Sequence, residues 1–225
     1  MWRILVVLLI GLLPASAQLI GEGVFRTVPS SAVCAIALDG TPVNGNNGSS
    51  GDVVLSAMTG LMAGDVIVVF AAQSGAPSAP TVSDTGGSSG WGTPRVSSLN
   101  LNEFAAVLSG TSTTITVHVG GAGAYLEAIA FAISGANTSS IFDANGALPA
   151  TGSTSVSITT SNAHDMLIAG ANAGSLGFPT STWTTVINGS FTEAQYKNVL
   201  ATQSGTMVTD AGSLHMIGDA IQCAH

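Results

Sequence analysis

Gly64-Asp65-Val66-Ile67-Val68-Val69-Phe70-Ala71-Ala72 decides how this chain is read. From Val66 to Ala72 every residue is apolar, with no alternation of wet and dry positions. A short run of this kind, opened by Gly-Asp, predicts a central strand covered on both faces. One hundred positions on, Ala163-His164-Asp165-Met166-Leu167-Ile168 repeats Ala63-Gly64-Asp65-Val66-Ile67-Val68. Further matches follow in the same order. Trp91 and Trp183 are 92 apart, as are Phe104 and Tyr196, Val107 and Val199, Leu108 and Leu200, Thr114 and Thr206, and Ile115 and Met207. At a spacing of 88 come Leu126 and Leu214, Ile129 and Ile217, Ala132 and Ala220, and Ile133 and Ile221. The spacing changes only in Gly/Ser/Pro-rich stretches, where loops tolerate deletion. This collinearity predicts an internal duplication, with halves near 50–135 and 150–222.

Around these anchors, five- to ten-residue apolar segments alternate with Gly, Ser, Thr, Asn and Pro clusters. Strands are expected near 32–38, 53–58, 66–72, 91–99, 103–108, 114–119, 126–134, 153–159, 166–171, 182–187, 194–202, 206–209 and 214–223. Ile115, Val117 and Val119 alternate with Thr114, Thr116 and His118, the period of a strand with one wet face. Asp39-Gly40, Asn44-Gly45, Asn47-Gly48, Asn145-Gly146 and Asn188-Gly189 read as turns. No segment keeps a helical period over ten residues. The expected fold is therefore all-β: a two-sheet, jelly-roll-like sandwich of about six strands per half, one domain over 18–225. Two successive small sandwiches are the alternative. A membrane barrel would need long alternating strands and aromatic girdles, and aromatic residues are only 5% of the chain.

Met1-Trp2-Arg3 carries one positive charge, and Ile4 to Leu13 is an apolar run too short to span a bilayer. Pro14 and the small-x-small triplet Ala15-Ser16-Ala17 complete the pattern of a secretory signal peptide over 1–17, with cleavage before Gln18. The chain is thus expected to be secreted or held at the extracellular surface, with the periplasm as the other destination. After cleavage three basic residues remain (Arg26, Arg95 and Lys197) against twelve acidic ones. So few cations cannot neutralise many phosphates, which argues against nucleic acid and against anionic membranes as partners. Charged residues make up 7% of the chain, so its polar surface must be built from Ser, Thr, Asn and Gly. Cys34 and Cys223 lie near the two ends, and export permits them to form a disulfide.

Candidate chemistry is sparse. His118, His164, His215 and His225 lie at no metal-ligand spacing, so neither a metal nor another cofactor is expected. Asp65 and Asp165 hold matching places in the repeat, and Asp52 precedes an earlier strand. Paired carboxylates could serve glycoside hydrolysis or calcium binding. Recurrence in both halves favours turn chemistry instead. Asp84-Thr85-Gly86 matches the Asp-Thr-Gly of aspartic proteases, but no second copy supplies the required partner. No catalytic residue is expected. Trp91 and Trp183 could stack on sugar rings, though large indoles more often pack in cores.

Gly64-Asp65-Val66-Ile67-Val68-Val69, Pro80-Thr81-Val82-Ser83-Asp84, Ser134-Gly135 and Ile141-Phe142-Asp143 together resemble a loose group of bacterial and phage β-sandwich proteins. The resemblance covers most of residues 50–222 and implies a sandwich fold with surface or virion association. The functional expectation is a non-enzymatic structural or adhesive module of an extracellular or particle-associated assembly. Its partners would be proteins, including copies of itself, or a surface glycan. A carbohydrate-binding module is the alternative, and a polysaccharide-degrading enzyme a weaker one.

Overall fold

The computed structural model describes residues 34–48, 51–75, 78–121, 124–173 and 181–224. The signal-peptide segment 1–17 lies outside them, as does His225. The described residues form seventeen strands and no helix. In the first half these are β1 (Ala37–Asn46), β2 (Val53–Val54), β3 (Met58–Thr59), β4 (Val66–Ser74), β5 (Thr81–Asp84), β6 (Val96–Ser98), β7 (Leu101–Val107), β8 (Ser112–Thr113), β9 (Ile115–His118) and β10 (Tyr125–Ser134). The second half supplies β11 (Ala150–Gly152), β12 (Ser155–Ile158), β13 (Met166–Ala173), β14 (Thr184–Asn188), β15 (Thr192–Asn198), β16 (Thr206–Thr209) and β17 (Ser213–Ile221).

Each half contributes a five-stranded antiparallel sheet, ordered β1-β10-β4-β7-β6 in the first and β11-β17-β13-β15-β14 in the second. The strand order is the same in both. Each large sheet carries a smaller one on its outer face. Strands β2-β9-β5 with the pair β3-β8 cover the first, and the ribbon β12-β16 covers the second. Three cores separate the resulting layers. Val53, Leu55, Ile67, Val69, Ile115 and Val117 fill the first outer core. Val156, Ile158, Leu167, Val208 and Met216 fill the second. Between the large sheets, Val66, Val68, Phe70, Ile129, Phe131 and Ile133 meet Met166, Ile168, Ile217 and Ile221.

The sandwich packing is as expected, but the layers are four rather than two. Val66 to Ala72 is buried throughout because β4 has a sheet on each side. The two large sheets approach closely where β13 carries a glycine. A Cβ on Gly170 would lie 2.4 Å from the ring of Phe70, so the missing side chain is what seats that ring.

The expected strands and turns differ from the observed ones at several points, among them Asn44-Gly45, which lies inside β1 and makes no turn. Asp39-Gly40 does not turn the chain but bulges it, with Gly40 at φ +60 and the β1–β10 register shifting between Asp39 and Val43. The first strand therefore runs over 37–46. Thr81–Asp84 is a strand, not a loop. The expected 53–58 strand breaks into β2 and β3.

Register also corrects part of the repeat. Val66 faces Val107 and Met166 faces Asn198, so β7 and β15 correspond at a spacing of 91, not 92. Leu108 N–H donates to Asp65 O and Val199 N–H to Asp165 O, which pairs Leu108 with Val199. A one-residue slip exchanges the faces of a strand. That is why Leu200 and Met207, matched to buried Leu108 and Ile115, are exposed. The spacing of 88 between β10 and β17 holds, with Ile133 facing Val66 and Ile221 facing Met166.

Cys34 and Cys223 are joined as a disulfide, their Cα atoms 6.1 Å apart. The bond closes one end of the central core. Beside that core lies a charged cluster. Arg95 pairs with Asp219 and lies 3.7 Å above the Phe142 ring. Glu103 is fully buried nearby. Burial, and then the Asp219 charge, push the Glu103 carboxyl well above its ordinary value against the pull of Arg95. One guanidinium thus serves two buried carboxyls, pairing directly with Asp219, and burial favours the neutral form of Glu103.

Candidate functional site

At the end of the large sheets away from the disulfide, the apolar filling runs out and a cleft of about 310 Å³ opens. Ala72 and Ser74 on β4, Asn100 before β7, Tyr125 on β10, Asn172 on β13, Phe191 before β15 and Leu214 on β17 line it. Both halves therefore build it. Glu127 holds one of its walls. This carboxylate is buried on β10, and its oxygens accept Ser190 N–H at 2.6 Å and Phe191 N–H at 2.5 Å from the β14–β15 turn. Gly189 makes the approach feasible, because a Cβ there would lie 2.5 Å from Glu127 Oε1. The turn presents Phe191 edge-on to Tyr125, with ring centroids 5.2 Å apart at 85°.

The chemistry of the lining is uniform. Two rings and a leucine give apolar surface, and Asn100, Asn172 and Ser74 give uncharged donors and acceptors. Only Tyr125 can ionise, and burial, then the Glu127 charge, raise its hydroxyl further above the ordinary value of 10.0. The cleft is therefore neutral at any ordinary pH. Its lining holds no carboxylate pair.

The residues singled out from sequence lie elsewhere. Trp183 is only 6% exposed, sits in the second outer core and donates its indole N–H to Met207 O at 3.2 Å. It has no free face for a sugar. Trp91 is half-buried against the first outer core and donates to the Asp84 carboxylate. Burial works against that carboxylate, yet Trp91 and the Ser88 contacts hold it below its usual range. The aromatic pair in a surface depression is Tyr125 with Phe191. Sequence offered only the Asn188-Gly189 turn as a hint of it.

Asp65 and Asp165 do not meet. Each is buried beside a different aspartate, Asp39 in the first half and Asp143 in the second. Asp39 faces Ala132 and Asp143 N–H bonds Ala220 O, so the partners also hold matching places. Asp65 additionally accepts Met62 N–H at 2.7 Å, a turn contact. These carboxyl pairs are parts of the scaffold and do not line the cleft. Among the described residues no group of three or more His, Cys, Asp and Glu is placed to hold a metal.

One constellation escaped the sequence reading. Ser83 Oγ lies 2.8 Å from His118 Nε2, and His118 Nδ1 lies 2.7 Å from Asp52 Oδ2. The three residues are 35 and 66 positions apart, so only the pairing of β2, β9 and β5 unites them. The His118 bond, against a small burial effect, lowers the Asp52 carboxyl below its usual value. Gly86-Gly87-Ser88-Ser89-Gly90 fits the Gly-x-Ser-x-Gly text of a nucleophile elbow, which was not expected in this chain. It lies at no strand-to-helix turn, and Ser88 Oγ is buried, so it makes no nucleophile elbow.

No protein-family model, curated protein or solved structure matches this chain.

Proposed function

We propose that this chain is an exported adhesive β-sandwich module of a surface or particle-associated assembly, and that its cleft takes a short stretch of neutral glycan. The cleft lined by Tyr125, Phe191, Asn100 and Asn172 carries this reading. A pyranose has an apolar face that rests on an aromatic ring and equatorial hydroxyls that exchange hydrogen bonds with amides. An ionic ligand would find no counter-charge there. The module binds at this site without transforming what it binds. The surface rich in Ser, Thr and Asn, the disulfide and the resemblance to surface- and virion-associated sandwich proteins support an extracellular setting.

Titration calorimetry with neutral mono- and disaccharides, after a glycan-array screen, tests the reading. A monosaccharide of twelve heavy atoms filling a site of this size should bind at about 1 mM, with longer neutral glycans tighter. Phe191→Ala should weaken binding about tenfold and leave the fold intact, since Phe191 is 42% exposed. Folded protein that binds no neutral glycan, or that binds equally well without Phe191, would overturn the assignment.

A further inference from the structure

Strands β2, β9 and β5 turn Val53, Val117 and Val82 into the first outer core. Their period of two must then turn Asp52, His118 and Ser83 to the solvent face. The ladder fixes these three positions. Val53 faces Val117, Thr81 faces His118 and Ser83 faces Thr116. The Asp52 carboxylate is held from two sides, with Oδ2 on His118 Nδ1 at 2.7 Å and Oδ1 accepting Val119 N–H at 3.1 Å. A carboxylate only accepts, so Nδ1 must carry the imidazole proton. Nε2 is then left with a lone pair, 2.8 Å from the Ser83 hydroxyl. Both nitrogens face the partners that general-base activation of a serine requires.

We propose that Ser83 is a nucleophile activated by His118 and Asp52, and that this outer face carries an acyl-transfer site for small activated esters. Ser83 Oγ attacks the ester carbonyl carbon while its proton passes to His118 Nε2. The carbon–oxygen bond to the alcohol breaks, and the alcohol leaves with that proton. Water then gives a proton to Nε2 and attacks the acyl-serine. The acid is released and Ser83 recovers its proton, so ester and water become acid and alcohol. Asp52 keeps the imidazole in the required tautomer and faces the imidazolium formed in each step.

The developing oxyanion has one backbone donor within reach. Among the described residues strand β5 pairs with β9 alone, so its other edge has no strand partner there. Thr85 N–H donates toward β9, to Thr114 O at 3.2 Å. Alternate amides share a direction, so the Ser83 amide enters the ladder and the Asp84 amide, next after the nucleophile, points out of the other edge. His118 and Asp52 side chains are 41% and 44% exposed. The site therefore suits small, reactive acyl groups and gives little selectivity among them. None of its residues lines the glycan cleft, so its fate is independent of that reading.

The test is a fluorophosphonate probe on the intact exported protein, with peptide mapping of the adduct, beside hydrolysis of 4-nitrophenyl acetate. Labelling should fall on Ser83 in preference to the other serines and vanish in Ser83→Ala. His118→Gln and Asp52→Asn should slow it at least tenfold with unchanged circular dichroism. These residues lie on an exposed face, so the variants should fold. Labelling spread evenly over surface serines would overturn the proposal. So would equal rates in folded His118→Gln, which would make the relay a hydrogen-bond chain that only ties three strands together.

Discussion

Gly64 and His164 hold the same place, one residue before the aspartate that opens β4 or β13, and both have positive φ, +98 and +64. Glycine takes such a backbone freely, whereas a residue with a Cβ is strained by about 1–2 kcal/mol. The imidazole returns little for that strain, since its buried Nδ1 has no hydrogen-bond partner among the described residues. His164→Gly should therefore stabilise the fold by about 1 kcal/mol, raising Tm by about 2–4 °C in thermal unfolding. Gly64→Ala should cost about 1–2 kcal/mol through backbone strain alone, because a Cβ there meets nothing within 4 Å. A lower Tm for His164→Gly would show that the imidazole contributes packing that outweighs the strain. The match of Ala63-Gly64-Asp65 to Ala163-His164-Asp165 was legible in the text. The left-handed backbone was legible only at the glycine, because histidine gives no sign of the conformation it is held in.

Among the elements, the β14–β15 turn depends on β10 through a single side chain. Glu127, itself buried, accepts from two turn amides, and it joins the first half to the second. Glu127→Gln keeps the shape but offers one oxygen for two donors, and should cost about 1–2 kcal/mol. Glu127→Ala leaves both amides unpaired and should cost about 2–4 kcal/mol, measured by urea unfolding. Either change loosens Phe191, so glycan affinity should fall with stability; unchanged affinity in Glu127→Ala would separate the turn from the cleft. Most strands were legible because apolar periodicity marks them directly. Register was less so. The 92-residue spacing was set by Trp91 and Trp183, which precede β6 and β14 and lie outside the paired strands, and β14 carries a bulge between Thr185 and Ile187, so the halves do not keep step there. Side-chain identity alone carried the match one residue too far into β15. The cleft and the Ser83–His118–Asp52 relay were illegible for a simpler reason: their members come from separate strands, and only sheet pairing makes them neighbours.

At the scale of the whole molecule, the four layers were implicit in Val66 to Ala72, since a strand without a wet face needs a sheet on each side. A two-layer sandwich cannot supply that to both large sheets. Stacking four layers buries acidic groups that the four basic residues of the chain cannot match, and the chain answers by pairing carboxyls. Asp165 is buried beside Asp143, and Glu193 beside Asp210 with Gln195 Nε2 on its Oε1 at 2.7 Å. Burial first, then the neighbouring carboxylate, raise Asp165 from 3.8 to about 7. Burial and the Asp210 charge likewise raise Glu193 from 4.5 to about 7, against the Gln195 contact. An acid whose folded value is raised holds its proton more tightly in the native state than in the unfolded chain. Its stabilisation is complete below the unfolded value, is lost as pH climbs from about 4 to about 7, and stays lost above that. Asp52, Asp84 and Asp143 are held below their ordinary value of 3.8, so their contribution is lost only as pH falls below it. The two trends place the maximum of stability near pH 4 to 5, on the acid side of neutrality. A carboxyl raised this far carries up to about 4 kcal/mol, and solvent relaxation reduces that figure, so Tm should fall on the order of 10 °C between pH 4.5 and pH 8. Asp165→Asn separates cause from coincidence. The amide can donate to Asp143 as the protonated acid does, but it cannot titrate. The variant should match the parent near pH 4.5, exceed it at pH 8, and show a shallower decline between them. A parent Tm that is flat or rising over this interval would mean that the buried pairs are ionised and matched by other means, and a decline unchanged by Asp165→Asn would move its origin to the remaining pairs.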